Sequence, residues 1–95
     1  MSLNGSFETM AKFNYLDVLQ RRVVLSLLRS PRRGLEYNYL KKIFYQHGDE
    51  LRDTLHTLYE KHVISAENIA GTTDLDIKLV DKDLLKLTSN AKIQK

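Results

Sequence analysis

Leu51, Leu55 and Leu58 recur at i, i+4 and i+7 in residues 49–64, which sets three leucines on one stripe of an amphipathic helix. Gly48 or Asp49 suits its N-cap, where a short acceptor satisfies amides left unpaired by the first turn. His62 falls where a helix stops on a left-handed residue, a conformation His tolerates better than most side chains. Val63 and Ile64 follow at once and open a strand.

Upstream, Phe7, Met10 and Phe13 share one face of a short helical arm that must dock on its own core or on a second subunit. Asn14 followed by Asp17 resembles a capping box and predicts a helix from Tyr15. Its apolar stripe is Leu16, Leu19, Val23 and Leu27, with Val24 and Leu28 on the shoulder. Val18 and Leu25 lie opposite that stripe, and a helix apolar on two faces is buried on two faces. The second face is either a homodimer seam or the bed for the arm. Pro31 ends the helix by pushing Ser30 out of the α region. After the loop of Arg32, Arg33 and Gly34, Leu35 reads as a one-residue bridge into a small sheet. A second helix runs from residue 36 or 37 to about 45 and buries Tyr37, Leu40, Ile43 and Phe44. Asn38, Lys41 and Lys42 point outward from it, and residues 46–48 turn into the leucine-striped helix.

Downstream, residues 65–70 are β-compatible and residues 71–73 give a turn signal. Leu75, Ile77 and Leu79 alternate with Asp76 and Lys78, the pattern of a half-buried strand. Asp81 caps a last short helix carrying Leu84, Leu85 and Leu87. The expected organisation is an arm (1–13), one α+β domain (14–90) and a polar tail (91–95). That domain has a three-helix core, a two-stranded hairpin and a closing helix.

Composition narrows the chemistry. Apolar content of 42% and charged content of 28% are ordinary for a folded domain. The absence of cysteine excludes disulfides, thiolate zinc sites and cysteine nucleophiles. No apolar run reaches membrane-spanning length and no signal-peptide pattern opens the chain, so a cytoplasmic protein is expected. The net charge of +3 is unevenly spread: residues 1–46 hold eight Lys/Arg against three Asp/Glu, and residues 47–95 hold seven against nine. A basic half is the usual footprint of a polyanion partner.

The segment Leu55-x-x-Leu58-x-x-x-x-Val63-Ile64 is similar to the L-x-x-L-x-x-x-G-L-I that closes the recognition helix of many bacterial winged helix-turn-helix regulators. The run from Ile77 to Leu87 resembles their I-x-L-T-x-x-G-x-x-x-L, with Val80 in place of threonine and Asp83 in place of glycine. Arg21-Arg22-x-x-Leu25-x-Leu27-Leu28 and Leu51-Arg52-x-x-Leu55-x-x-Leu58 also resemble small phage-type, ArsR-like members of that superfamily. The resemblance implies a winged helix-turn-helix fold and a DNA-binding transcriptional regulator. The leucine-striped helix would then lie in the major groove of double-stranded DNA, with the hairpin as the wing.

The residues expected to reach DNA are Arg29, Arg32 and Arg33 at the first loop, Asn38, Lys41 and Lys42 on the second helix, and Arg52 and His56 on the third. A homodimer seam would use Phe7, Met10, Phe13, Val18 and Leu25. Against the DNA reading, the face opposite the leucine stripe carries Asp49, Asp53 and Glu60 beside His56 and Thr57, and residues 70–74 hold no Lys or Arg. Duplex DNA presents one negative charge per ~1.7 Å of axis. The competing expectation is therefore a protein-binding module that uses the acidic third helix. Asp49, Asp53 and His56 at i, i+4, i+7 are read as an ordinary polar face, since one exposed imidazole with two carboxylates falls short of a metal site. The three histidines have no Ser or Asp in a triad-like arrangement and no glycine-rich phosphate loop exists. Neither enzyme nor cofactor is expected.

Overall fold

The computed structural model describes residues 3–4 and 7–89. In chain order these form β1 (Leu3–Asn4), α1 (Phe7–Tyr15), α2 (Val18–Arg29), β2 (Gly34–Glu36), α3 (Tyr37–Ile43), α4 (Asp49–Glu60), β3 (Ile64–Asn68), β4 (Leu75–Leu79), α5 (Lys82–Leu85) and β5 (Thr88–Ser89). A 3-10 turn, Tyr45–His47, links α3 to α4. The polar tail 91–95 lies outside the described residues, as does most of the stretch before Phe7.

The expected helical arm is α1, and the main helix starts at Val18, three residues after the expected Tyr15. Tyr15 ends α1, and the capping box that opens α2 is Asp17 with Gln20, three residues after the expected Asn14 with Asp17. The Gln20 amide donates to Asp17 Oδ1 at 2.8 Å, and the Asp17 amide donates to Gln20 Oε1 at 3.1 Å. Gln at the third helical position can reach back to the cap amide, which an aspartate does poorly because its side chain is one methylene shorter.

Val23, Val24, Leu27 and Leu28 of α2, Leu40 and Phe44 of the α3 segment, and Leu51, Leu55 and Leu58 of α4 form one core, closed by Ile77, Leu79, Leu84 and Leu87. Ile43 departs from expectation and is 43% exposed. At about 100° per residue it falls on the other flank of Leu40 from Tyr37 and Phe44. Asn38, Lys41 and Lys42 are exposed as expected.

The end of α4 follows the sequence closely. His62 takes φ 61°, its amide donates to Tyr59 O at 3.0 Å, and the Val63 amide donates to Leu58 O at 2.9 Å. This is the paired 5→2 and 6→1 arrangement of a Schellman stop, completed by packing of the two apolar residues that flank it. Val63 and Leu58 are both buried.

The sheet has three antiparallel strands in the order β2-β4-β3, one more than the expected hairpin, because Leu35 is the centre of a full strand paired with Ile77. β3 and β4 pair from Ile64 with Leu79 to Asn68 with Leu75, and Gly71 turns between them at φ 80°. The arm docks on its own chain: α1 packs against α5, and β1 pairs with β5. No helix among the described residues is long and apolar enough to cross a membrane.

Candidate interaction surface

α4 is one-sided by sequence. Leu51, Leu55 and Leu58 enter the core, so Asp49, Glu50, Arg52, Asp53, His56 and Glu60 are left exposed. Local pairs order this face: Arg52 Nη2 lies 3.7 Å from Asp49 Oδ1, His56 Nε2 3.3 Å from Glu60 Oε2, and His47 Nδ1 3.3 Å from Glu50 Oε1. Such exposed pairs contribute about 0–1 kcal/mol each and exchange readily for a partner's charges. With four carboxylates and one arginine, α4 carries a net charge of −3.

Beside α4 the inner face of the sheet is left partly uncovered. Leu55, Ile64, Ala66, Leu75 and Ile77 floor a cleft of about 270 Å³. Tyr37 and Tyr59 wall it, and Arg52 and His56 stand at its mouth. Tyr59 is half exposed, and Lys41 sits 5.0 Å above the Tyr37 ring. The sequence shows each of these side chains as core or helix face. It carries no signal that they leave a gap, because the gap is lined by residues of α3, α4, β3 and β4 that only the tertiary packing brings together.

The expected DNA contacts divide into two groups. β4 runs from the hairpin tip toward Leu79, with Glu36 opposite Asp76 and Gly34 opposite Lys78. The loop bearing Arg32 and Arg33 therefore lies at the end of the sheet away from the hairpin tip, just beyond the C-terminal end of α2 that carries Arg29. Arg32 is held by Asp76 through both carboxylate oxygens, at 3.2 and 3.4 Å. The guanidinium keeps Asp76 below the ordinary carboxylate range against the opposing effect of its partial burial. Arg33 turns back to Ser30 O at 3.2 Å. Lys41, Arg52 and His56 instead come together around Tyr37, with Asn38 and Lys42 on the same short helix as Lys41.

Of the residues expected at a dimer seam, Phe13 is buried in the chain's own core, and Met10 and Leu25 are half-buried against it. Phe7 and Val18 are 86% and 65% exposed. Among the described residues no group of three or more His, Asp or Glu side chains is placed to hold a metal ion.

One further residue positions this surface without any sequence signal. Asp74, buried at the hairpin tip, accepts from the Asn38 amide at 3.0 Å and the Leu75 amide at 2.8 Å. It thus caps α3 from 36 residues away, a task that Glu36, at the cap position itself, leaves undone. Comparison with family models, curated proteins and solved structures finds no match for the chain.

Proposed function

We propose that the chain is a winged helix-turn-helix domain that works by binding another protein through α4 and the cleft beside it. The order α2-β2-α3-α4-β3-β4-α5, with β4 between β2 and β3, supports the fold reading by making β3 and β4 a wing next to α4. The protein reading rests on one observation above all. The helix such a domain would lay against a duplex turns Asp49, Glu50, Asp53 and Glu60 outward with a single arginine. Facing phosphates, that charge is repelled; facing a basic protein surface, it steers association and selects partners. The apolar floor of the cleft suits an apolar side chain better than a sugar-phosphate backbone.

A second reading, a DNA-binding transcriptional regulator, draws on the gathering of Lys41, Arg52 and His56 around Tyr37, with Asn38 and Lys42 nearby. Titration with duplex DNA at about 0.05 M and 0.2 M salt separates the two. Under the protein reading, duplex binding is weak even at the lower salt, and Asp53→Lys/Glu60→Lys strengthens it. Steep salt-dependent affinity that Lys41→Ala/Lys42→Ala weakens across unrelated sequences would establish the DNA reading instead.

A further inference from the structure

The charge asymmetry between the halves of the chain resolves onto two helices. α2 carries Arg21, Arg22 and Arg29 and no acid, a net +3, whereas α4 is −3. Both have 12 residues, so each presents a stripe about 18 Å long. They share one core through Val23, Val24, Leu27 and Leu28 on one side and Leu51, Leu55 and Leu58 on the other. Their charged faces therefore point away from that shared contact. α2's outer face also exposes apolar surface: Val18 is 65% exposed, Tyr15 just before it is 87% exposed, and Leu25 is half-buried. Arg21 and Arg22 sit three and four positions after Val18, on the same side of the helix. Arg22 is exposed as a residue, and its guanidinium rests 5.6 Å over the Phe44 ring with Nη1 3.4 Å from His47 Nε2, so the contact with a partner's carboxylates is made from an already oriented cation.

We propose that the partner received by α4 and its cleft is a second copy of this chain, presenting the outer face of α2. Resting on the protein-binding reading, the contact seats Val18 and Tyr15 against the cleft walled by Tyr37 and Tyr59. Arg21 and Arg22 meet Asp53 and Glu60. The two patches differ, so the contact is heterologous: reciprocal use closes a dimer, and one-way use propagates. This places Val18 at a subunit contact opposite α4, in contrast to a seam of α2 against α2.

The test is sedimentation of the full chain over about 10–1000 µM at about 0.05 M and 0.5 M salt, with charge reversal on each side. Average mass should rise with concentration at low salt and fall at high salt. Arg21→Glu/Arg22→Glu and Asp53→Lys/Glu60→Lys should each weaken self-association about tenfold or more, with circular dichroism unchanged. Mixed together, these two variants should form a 1:1 complex, because each retains the patch the other lacks. All four changes in one chain should restore self-association. A monomer at every concentration, or association indifferent to the reversals, overturns the inference. The protein-binding reading has its own separate test in the duplex titration, and falls only if the chain binds DNA there with steep salt dependence.

Discussion

Asp74 Oδ1 accepts the backbone amide of Asn38 at 3.0 Å, joining the hairpin tip to the start of α3. The same oxygen takes the Leu75 amide, and the Asp74 amide donates to Thr72 Oγ1 at 3.1 Å. One buried carboxylate thus closes the turn and caps a helix. Asp74→Ala should destabilise the fold by about 1–2 kcal/mol, the usual cost of losing a cap and leaving an amide unpaired. For a domain of this size that lowers Tm by roughly 4–8 °C per kcal/mol. Asp74→Asn keeps an acceptor and should lose less. Equal melting of wild type and Asp74→Ala would show that water replaces the carboxylate without cost.

Lys12 Nζ lies 2.6 Å from Asp81 Oδ2, so α1 grips the cap of α5. Burial alone would raise the Asp81 pKa, but the Lys12 hydrogen bond and the amides of Leu84 and Asp83 outweigh it and hold the carboxyl below its ordinary 3.8. Hydrogen bonding to Asp81 raises Lys12 above 10.5. The carboxylate contribution is complete above the ordinary value and is lost as pH falls through the lower folded-state pKa. The lysine contribution is complete below 10.5 and is lost as pH rises through the higher folded-state pKa. Urea midpoints should therefore decline below about pH 4 and again above about pH 10.5. Lys12→Met should cost about 1 kcal/mol or less at pH 7, since the amine is partly exposed, and should flatten the alkaline decline. An alkaline limb identical in both proteins would assign that limb to other groups.

What the sequence made legible is what one segment can encode alone. The leucine stripe of α4, its stop at His62, the turn around Gly71 and the Asp81 cap each need only neighbouring residues. Asp74 to Asn38, Lys12 to Asp81 and Arg32 to Asp76 join residues 36 to 69 positions apart, and no local pattern encodes such a contact. The surface was half legible for the same reason. The acidic face of α4 follows from helical spacing, whereas the cleft depends on how α4 lies across β3 and β4. Arg32 is the instructive case: its cation was visible and its consumption by Asp76 was not.

Gly34 sits where β2 meets β4. A Cβ there would lie 2.9 Å from the Ile77 carbonyl oxygen and 2.7 Å from Lys78 Cγ. The lysine stem can swing aside; the backbone oxygen moves only with the strand. Gly34→Ala should therefore cost about 1–3 kcal/mol, the range for forced overpacking. The loss should appear as faster hydrogen exchange at β2 and β4 before α4. Uniform exchange rates would argue that the sheet shifts as a unit and absorbs the methyl.

His62 offers the opposite sign. At φ 61° it occupies the left-handed region, where the Cβ of an ordinary residue meets a carbonyl oxygen at a cost of roughly 1–2 kcal/mol. The imidazole is exposed, so little packing offsets that cost. Glycine has no Cβ and is the common residue at this point of a Schellman stop. His62→Gly should therefore stabilise the fold by about 0.5–1 kcal/mol, reduced from the full strain because glycine also frees the unfolded chain. A β-branched residue resists this conformation more than histidine does, so His62→Val should destabilise. Together the two variants bracket wild type in a urea titration with unchanged slope. If His62→Gly melts below wild type, the histidine ring makes a contact worth more than the strain it imposes.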